Sequence, residues 1–350
     1  MNGTNSPRSA SLAPAEMRIL MAPPLPAAEL HLHIEGTLEP ELLVALARRN
    51  GVTLATTDLA ELRARYRFAD LQSFLDVYYA SLPVLCTDQD FYDLASAYLD
   101  RAAAAGVRRA EIFVDPQTHL GHGVPLAAVF AGLTGALADG RARHGLSADL
   151  IPCFLRNLGP AAADETLTAV LPFRDQFIGV GLDSTEIGFP PSLFRDVYRR
   201  AAAEDLHLVA HAGEEGGPDY VWEALDVLGA ERIDHGIRAM EDPALVRRLR
   251  DDQVPLTVCP LSNVALRAVG SLAEHPLPDM LAAGLRVTLN SDDPAYFGGY
   301  LGENVTAVRG ELGLDDKQFA ALAHNSFDAC FAPAADKLRW KSEVDAALGA

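Results

Sequence analysis

The sequence is poor in cysteine and in long apolar runs. Its four cysteines are far apart and form no CxxC pair, so neither a disulfide framework nor a sulfur-rich metal site is indicated: Cys86, Cys153, Cys259 and Cys330. The N-terminal stretch of the sequence has scattered prolines and lacks the continuous apolar core of a signal peptide or membrane span. We therefore predict a protein of the reduced cytoplasm with a flexible leader over residues 1–25.

Basic residues are also scarce. Lysine and arginine together number 29 against 48 aspartates and glutamates, and the formal net charge is −19. Such a surface repels nucleic-acid phosphates and anionic lipid, so we expect neither as a main partner. A small neutral or cationic substrate fits this charge better, and the sequence is compatible with a homo-oligomer.

Eight short apolar runs, each followed by a helical pattern, recur along the chain. They cover residues 28–34, 108–114, 150–155, 178–183, 206–212, 231–236, 255–260 and 285–291. The runs lack clean polar alternation, as expected for parallel strands that are buried on both faces. This rhythm predicts an α/β fold, a (β/α)8 TIM-type barrel in one domain over residues 26–350, with an open doubly wound sheet as the alternative.

Residues typical of helix ends support a helical structure for the segments between these runs. Pro40 suits the first turn of a helix, Thr87 and Asp90 form a capping box, and Gly106 stands where a helix ends. The connection over residues 37–107 is much longer than the others, and we expect its helices to form a lid or pocket wall. Terminal helices are predicted over the last forty or so residues.

Polar residues concentrate at or near the ends of four predicted strands. Seven metal-competent or titratable residues lie there: His31, His33, His211, Glu214, His235, Asp292 and Asp293. In an α/β barrel the carboxyl ends of the strands and the loops after them build the active site. The sequence therefore predicts that these side chains share one site.

The chemical types of these side chains, imidazoles and carboxylates, predict a metal centre. His31 and His33 are two residues apart in a strand, so both imidazoles can face one ion. An HxH pair alone is a weak signal, but a third histidine at another strand end and a carboxylate at a further one give a His3Asp set that suits catalytic zinc, and also other divalent ions. The alternatives are a simple turn at Asp292–Asp293 and a core role for His235.

Lysine is nearly absent, and this limits the kind of metal centre. The three lysines all follow the eighth predicted strand: Lys317, Lys337 and Lys341. No middle strand therefore carries a lysine that, once carboxylated, could bridge two metal ions. We predict one zinc ion per chain.

The predicted set has a definite chemistry. A zinc ion makes hydroxide available from water near neutral pH. His235 can orient or deprotonate that water, and Glu214 can protonate a ring nitrogen of the substrate as general acid and base. Asp293 is a candidate hydrogen-bond partner for a nitrogen of the substrate ring.

The motifs ELHLHIEGTLEPEL, HAGEE, RIDHG, LTVCPLSNV and NSDDPAYFGG occur in one order and resemble the adenosine/adenine deaminase branch of the amidohydrolase superfamily. The resemblance covers nearly the whole chain from residue 28. It implies zinc ligation and catalysis by the residues already singled out: His31, His33, His211 and Asp292 as ligands, Glu214 as proton donor, His235 beside the water, and Asp293 on the substrate base.

Further segments are similar to bacterial and fungal adenine deaminases: FADLQSFLDVYY, TDQDFYDL, DPQTH and GLDSTEIGFPP. Glu35 stands where adenosine deaminases carry an aspartate that helps hold ribose, and its extra methylene would intrude on the sugar space. The resemblance therefore implies conversion of adenine to hypoxanthine and ammonia in purine salvage, with Glu35, Ser184 and Glu186 as further substrate contacts.

Some residues depart from that pattern. Phe189 and the HLGHG segment differ from it, so His119 and His122 are candidates for the pocket, with a role as plain loop histidines as the alternative. These departures keep open a substrate such as adenosine or a larger, N6-substituted adenine derivative, for example 6-aminodeoxyfutalosine. A catalytically silent barrel that binds a purine or a protein is a third interpretation, which the intact set of polar residues disfavours.

Overall fold

The computed structural model describes residues 24–349 and contains one eight-stranded parallel sheet in sequential order. The predicted leader over residues 1–25 lies almost entirely outside the described residues. The strands are β1 Ala27–His33, β2 Val107–Val114, β3 Ser147–Leu155, β4 Gly179–Asp183, β5 His207–Ala212, β6 Arg232–His235, β7 Pro255–Val258 and β8 Arg286–Leu289. Each of the eight predicted runs overlaps one strand.

The sheet closes between its first strand and the residues after its last. Leu32 and Asp292 form a parallel bridge, in which the His33 N–H donates to the Asp292 carbonyl at 3.0 Å and the Asp292 N–H donates to the His31 carbonyl at 3.0 Å. The side chain of Asn290 accepts from the Leu30 N–H at 2.8 Å. The prediction of a (β/α)8 barrel is confirmed, and the alternative of an open sheet is wrong.

Helices surround the barrel because each parallel connection crosses its outer face. In chain order they are α1 Pro40–Asn50, α2 Leu59–Ala64, α3 Leu71–Ser81, α4 Asp88–Ala104, α5 Pro116–Gly121, α6 Leu126–His144, α7 Gly159–Val170, α8 Arg195–Ala203, α9 Pro218–Glu223, α10 Pro243–Asp252, α11 Pro260–Ala265, α12 Leu277–Ala282, α13 Pro294–Phe297, α14 Leu301–Leu312, α15 Asp316–Ala329 and α16 Ala334–Ala347. Within residues 24–349 no helix is long and apolar enough to cross a membrane.

The long connection between β1 and β2 carries α1 to α4, as predicted. Pro40 is the first residue of α1, Thr87 and Asp90 form both bonds of a capping box, and Gly106 follows α4 with φ +86°. In α3 the buried residues Leu71, Phe74, Leu75 and Tyr78 recur at helical spacing and form one face. That face is directed at the cavity described below, so this connection supplies a pocket wall.

The C-terminal helices cover the outside of the barrel beside its seam. Helix α15 packs on β8 and β1, and the Ser326 hydroxyl accepts from the Ala28 N–H at 2.8 Å. After α15, the Phe331 N–H donates to the buried carboxylate of Glu111 at 2.6 Å. The predicted terminal helices are confirmed. The four cysteines all lie among the described residues and form no disulfide.

Candidate metal centre and active site

Three imidazoles and one carboxylate converge at the carboxyl end of the barrel. The Nε2 atoms of His33 and His211 are 3.2 Å apart, and Asp292 Oδ1 lies 3.3 Å from His31 Nε2 and 3.5 Å from His33 Nε2. All four side chains are buried. They come from β1, β5 and the turn after β8, so the parallel strands bring together the residues that the sequence analysis grouped.

The hydrogen bonds of His31 leave a lone pair directed at this cluster. Its Nδ1 lies 3.2 Å from the carbonyl oxygen of Thr257, which can only accept, so Nδ1 carries a hydrogen and, in the neutral ring, Nε2 carries a lone pair. Buried Nε2 has no hydrogen-bond partner among the described residues. A free imidazole nitrogen facing a buried carboxylate fits a divalent cation such as zinc.

The protonation states of His33 and His211 also suit a divalent cation. Burial lowers the pKa of His33 to about 4 and that of His211 well below its ordinary value, so both rings are neutral at pH 7. Burial also lowers the pKa of His31, but the Asp292 carboxylate outweighs it and the net shift is upward. A divalent cation between His31 and Asp292 would take the place of that proton.

His235 lies near enough to compete with His33 as a ligand. The ligand atoms of His31, His211, His235 and Asp292 all lie within 4.8 Å of one another. His235 ends β6 with φ +66° and its Nε2 is 3.8 Å from Asp292 Oδ2. Proximity alone therefore does not distinguish His33 from His235 as the third imidazole.

Glu214 lies beside His235 at the edge of the cluster. Its Oε2 is 3.4 Å from His235 Nε2, and its Oε1 accepts from the Asn263 amide at 3.2 Å. Burial raises the pKa of the Glu214 carboxyl well above its ordinary value, and the charges of nearby carboxylates raise it further. The turn back from His211 uses Gly213 at φ +75°, where a Cβ would lie 2.7 Å from a Val221 methyl.

Asp293 contacts the segment that follows β1. A Cβ on Gly36 would lie 2.1 Å from Asp293 Oδ1 and 2.6 Å from its Cα, so only glycine fits there. Asp293 is buried, and its Oδ1 has no hydrogen-bond partner among the described residues. Burial and the neighbouring Asp292 raise the pKa of Asp293 well above its ordinary value. This side chain is available to a ligand.

A cavity of about 430 Å³ lies over the cluster. Its polar wall consists of His33, Asp115, Asp183, Ser184, His211, Glu214, His235, Asp292 and Asp293, and its apolar wall of Leu71, Phe74, Leu75, Tyr78, Tyr79 and Leu266. A second cavity of about 720 Å³ shares Leu71, Glu214 and Leu266 with it. A concave site that joins an apolar wall to convergent polar groups suits a small molecule.

Comparison with known proteins agrees with this arrangement. A family model described as Adenosine deaminase matches residues 26–347. The chain belongs to this family. It is 61% identical over 325 residues to an adenine deaminase of Streptomyces coelicolor, covering 92% of this chain and 96% of the relative. It is 56% identical over 320 residues to that of Cupriavidus necator, with 91% of each chain covered.

Two solved structures of similar fold extend the comparison. The crystal structure of an adenine deaminase from Arthrobacter aurescens has a TM-score of 0.92 at 54% identity, covering 93% of this chain and 100% of that one. A zinc-bound amidohydrolase from Burkholderia ambifaria has a TM-score of 0.87 at 29% identity, covering 97% of this chain and 95% of that one. This member of the adenosine deaminase family thus resembles a structure that binds zinc.

Several residues predicted to contact substrate lie outside the cavity wall of this family member. Glu35 is buried and accepts from His119 Nε2 at 2.7 Å and from the Asp115 N–H at 3.0 Å. Glu186 is buried and accepts from the Gly216 N–H. His122 is exposed after α5. Of the predicted secondary contacts, only Ser184 lines the cavity, and the roles of the others stay predictions.

Other site residues were not singled out from the sequence. Asp115 and Asp183 line the cavity, and burial together with the charge of Glu35 raises the pKa of Asp183 to about 7. Asp115 follows β2 and Asp183 ends β4, so the strand-end signal used for the histidines could have found both. Asp234, Ser262 and Asn263 also contact the candidate ligands or Glu214. They lie within the motifs RIDHG and LTVCPLSNV, which could have identified them.

Proposed function

We propose that this protein is a hydrolase that breaks the exocyclic C–N bond of a cyclic amidine, converting adenine and water to hypoxanthine and ammonia. The proposal depends on one observation: buried Glu214 lies beside the convergent His and Asp cluster, in the wall of the cavity. Identity of 52–61% to several relatives named adenine deaminase supports adenine as the substrate.

The metal is proposed to be one zinc ion per chain, held by His31, His33, His211 and Asp292. When bound there, zinc supplies a hydroxide nucleophile from water near neutral pH. The scarcity of lysine supports a single ion, because no lysine precedes Lys317.

Glu214 is proposed as general acid and base. Its raised pKa keeps a proton on the carboxyl near neutral pH, and that proton passes to a ring nitrogen of the bound base. Protonation withdraws electrons from the adjacent carbon, which then accepts the oxygen of water. A proton of that water passes to the Glu214 carboxylate and from there to the exocyclic amine. The C–N bond then breaks and ammonia leaves, and the hydroxyl on the carbon returns its proton to Glu214 as the carbonyl of hypoxanthine forms.

Unpartnered acids in the cavity favour a free base as the substrate. Asp115 Oδ1, Asp183 Oδ1 and Asp293 Oδ1 are buried without a hydrogen-bond partner among the described residues. Adenine carries N–H groups on its amine and its imidazole ring as donors and bare ring nitrogens as acceptors, so it can bond to these acids in either protonation state. In a nucleoside the sugar replaces the hydrogen of one ring nitrogen, so the base itself offers one donor fewer to these acids.

A panel of substrates tests the proposal. Zinc-loaded protein is mixed with adenine, adenosine, N6-methyladenine and 6-aminodeoxyfutalosine, and ammonia release and kcat/KM are measured. We expect adenine to have the highest kcat/KM and to yield hypoxanthine. Absence of turnover of adenine by protein of verified zinc content would overturn the proposal, and a higher kcat/KM for another compound would replace the substrate.

A further inference from the structure

A chain of hydrogen bonds leads from a backbone amide at the start of α12 to the active site. The Leu277 N–H lies 3.1 Å from His275 Nδ1, and a backbone amide can only donate. His275 Nδ1 must therefore be the acceptor. In a neutral imidazole the hydrogen then sits on Nε2, which lies 3.2 Å from the side-chain oxygen of Asn263 and donates to it.

The direction of this chain continues through Asn263. Because its oxygen accepts from His275, its amide nitrogen is the end that faces the active site. That nitrogen lies 3.2 Å from Glu214 Oε1 and 3.2 Å from His235 Nδ1. An amide nitrogen can only donate, so His235 Nδ1 must accept and cannot carry a hydrogen.

We propose that His275 and Asn263 are positioning residues that hold His235 as the neutral tautomer with its hydrogen on Nε2. The surroundings of Nε2 agree with this assignment. Glu214 Oε2 lies 3.4 Å from it and Asp292 Oδ2 lies 3.8 Å from it, and each of these oxygens has a lone pair that can accept, whether or not the Glu214 carboxyl holds a proton. Burial lowers the pKa of His275 to about 4, which keeps the first imidazole of the chain neutral.

This tautomer distinguishes His235 from His31. The Nδ1 of His31 faces a backbone carbonyl, which leaves a lone pair on Nε2. The Nδ1 of His235 instead accepts a hydrogen bond from Asn263, which His275 and the Leu277 backbone amide hold in place. The hydrogen of the neutral His235 ring is therefore on Nε2. An N–H nitrogen cannot bind a cation, so His33 and not His235 is the third imidazole of the metal centre, although both are close enough.

A second consequence concerns the reaction, and it rests on the proposed function. Neutral His235 has no lone pair directed at the cavity, so it cannot remove a proton from water there. It donates a hydrogen bond to the oxygen that attacks the base and orients it. Glu214, which Asn263 also contacts, is then the residue that takes up and returns the proton.

The tautomer is measurable without substrate. Zinc-loaded protein labelled with ¹⁵N only in histidine is studied by long-range ¹H–¹⁵N correlation, in which a ring nitrogen that carries hydrogen resonates far from one that does not. Loss of signals in His235→Gln assigns the ring. We expect hydrogen on Nε2 and none on Nδ1. Hydrogen on Nδ1, or the signature of a metal-bound Nε2, would overturn the proposal.

A pair of variants tests the role of the chain. Gln in His275→Gln can accept from the Leu277 N–H and donate to Asn263, so we expect the tautomer of His235 and kcat to persist. Leu in His275→Leu can do neither, so the side-chain amide of Asn263 is free to flip and to present its oxygen to His235. We expect mixed tautomer signals and a fall in kcat of about 10–100-fold, the range typical of lost outer-shell partners.

The outcomes separate this proposal from the proposed function. If His275→Leu remains folded and keeps one tautomer of His235 with unchanged kcat, the chain through Asn263 does not direct His235. If the tautomer is as stated but adenine is not deaminated, only the proposed function fails. His144→Gln, on the far end of α6, is the matched control and should alter neither measurement.

Discussion

His33 and Asp292 contact each other twice, once through a backbone hydrogen bond and once between their side chains. The His33 N–H donates to the Asp292 carbonyl at 3.0 Å, and His33 Nε2 lies 3.5 Å from Asp292 Oδ1. The first contact belongs to the seam that closes the barrel, and the second belongs to the candidate metal centre. Closure of the fold and assembly of the ligand set therefore depend on the same turn after β8.

Replacement of Asp292 by Ala should separate these two roles. The backbone bonds of the seam do not need the carboxylate, so we expect a folded barrel by circular dichroism. The ligand set loses its only carboxylate, so zinc content per chain should fall well below that of the native protein. Asp279→Ala, at an exposed site on α12, should retain zinc. Full zinc occupancy in Asp292→Ala would contradict the ligand assignment.

Replacement of Glu214 by Gln should impair catalysis and spare the metal. Gln keeps the shape and the contact with Asn263 but cannot deliver a proton. We expect kcat on adenine to fall by roughly 10²–10⁴-fold, as is typical for a lost general acid or base, with zinc content unchanged. Glu165→Gln, on the exposed side of α7, is the control. Normal turnover by Glu214→Gln would show that another group supplies the proton.

Asp234 should tune the metal affinity without touching the ion. Its oxygens lie 3.9 Å from His31 Nδ1 and 3.8 Å from His211 Nδ1, and it accepts from the Thr257 hydroxyl at 2.7 Å. We expect Asp234→Asn to weaken zinc binding about 10–100-fold in competition with a chelator.

The control for this variant is Asp226→Asn, at an exposed site on the outer side of the barrel. Arg232 keeps its buried partner Glu111, 2.6 Å away, so the Asp234→Asn barrel should stay folded. An unchanged affinity for zinc in a folded Asp234→Asn protein would show that this carboxylate does not support the histidines.

Gly36 should be required for the position of Asp293. A methyl group there would lie 2.6 Å from the Asp293 Cα, and this backbone atom cannot rotate away as a side chain could. We expect Gly36→Ala to cost about 1–3 kcal/mol of stability and to lower kcat/KM by as much as about 10²-fold.

Gly310 in α14 provides the matched control, because nothing lies within 4 Å of a Cβ placed there. Gly310→Ala should keep full activity and be slightly more stable, since alanine favours a helix interior. If Gly36→Ala retained the kcat/KM and the unfolding temperature of the native protein, the tight contact between Gly36 and Asp293 would be needed for neither activity nor stability.

Removal of the metal should lower stability as well as activity. An ion that binds only the folded chain adds about 4 kcal/mol at a concentration 1,000 times its Kd. We expect a chelator-treated sample to unfold at a lower temperature in calorimetry and to lose deamination, with both restored by zinc. Equal unfolding temperatures with and without zinc would argue against ligation within the barrel.

Much of the fold and the convergence of the candidate ligands could be predicted from the sequence because the signals are local. Each buried strand shows as a short apolar run, and His31 and His33 share a face because side chains alternate along a strand. The carboxyl ends of parallel strands meet at one end of a barrel, so His211 and Asp292 could be assigned to the same site without coordinates.

The sequence by itself thus determined the barrel, its order of strands and the convergence of the polar residues, since these follow from short-range periodicity and one rule of topology. Only the tertiary structure decided which atoms meet. It turns Glu35 toward His119, and it directs Asn263 at both Glu214 and His235. These contacts join loops far apart in the chain, and the position of a single hydrogen depends on the whole set of neighbours.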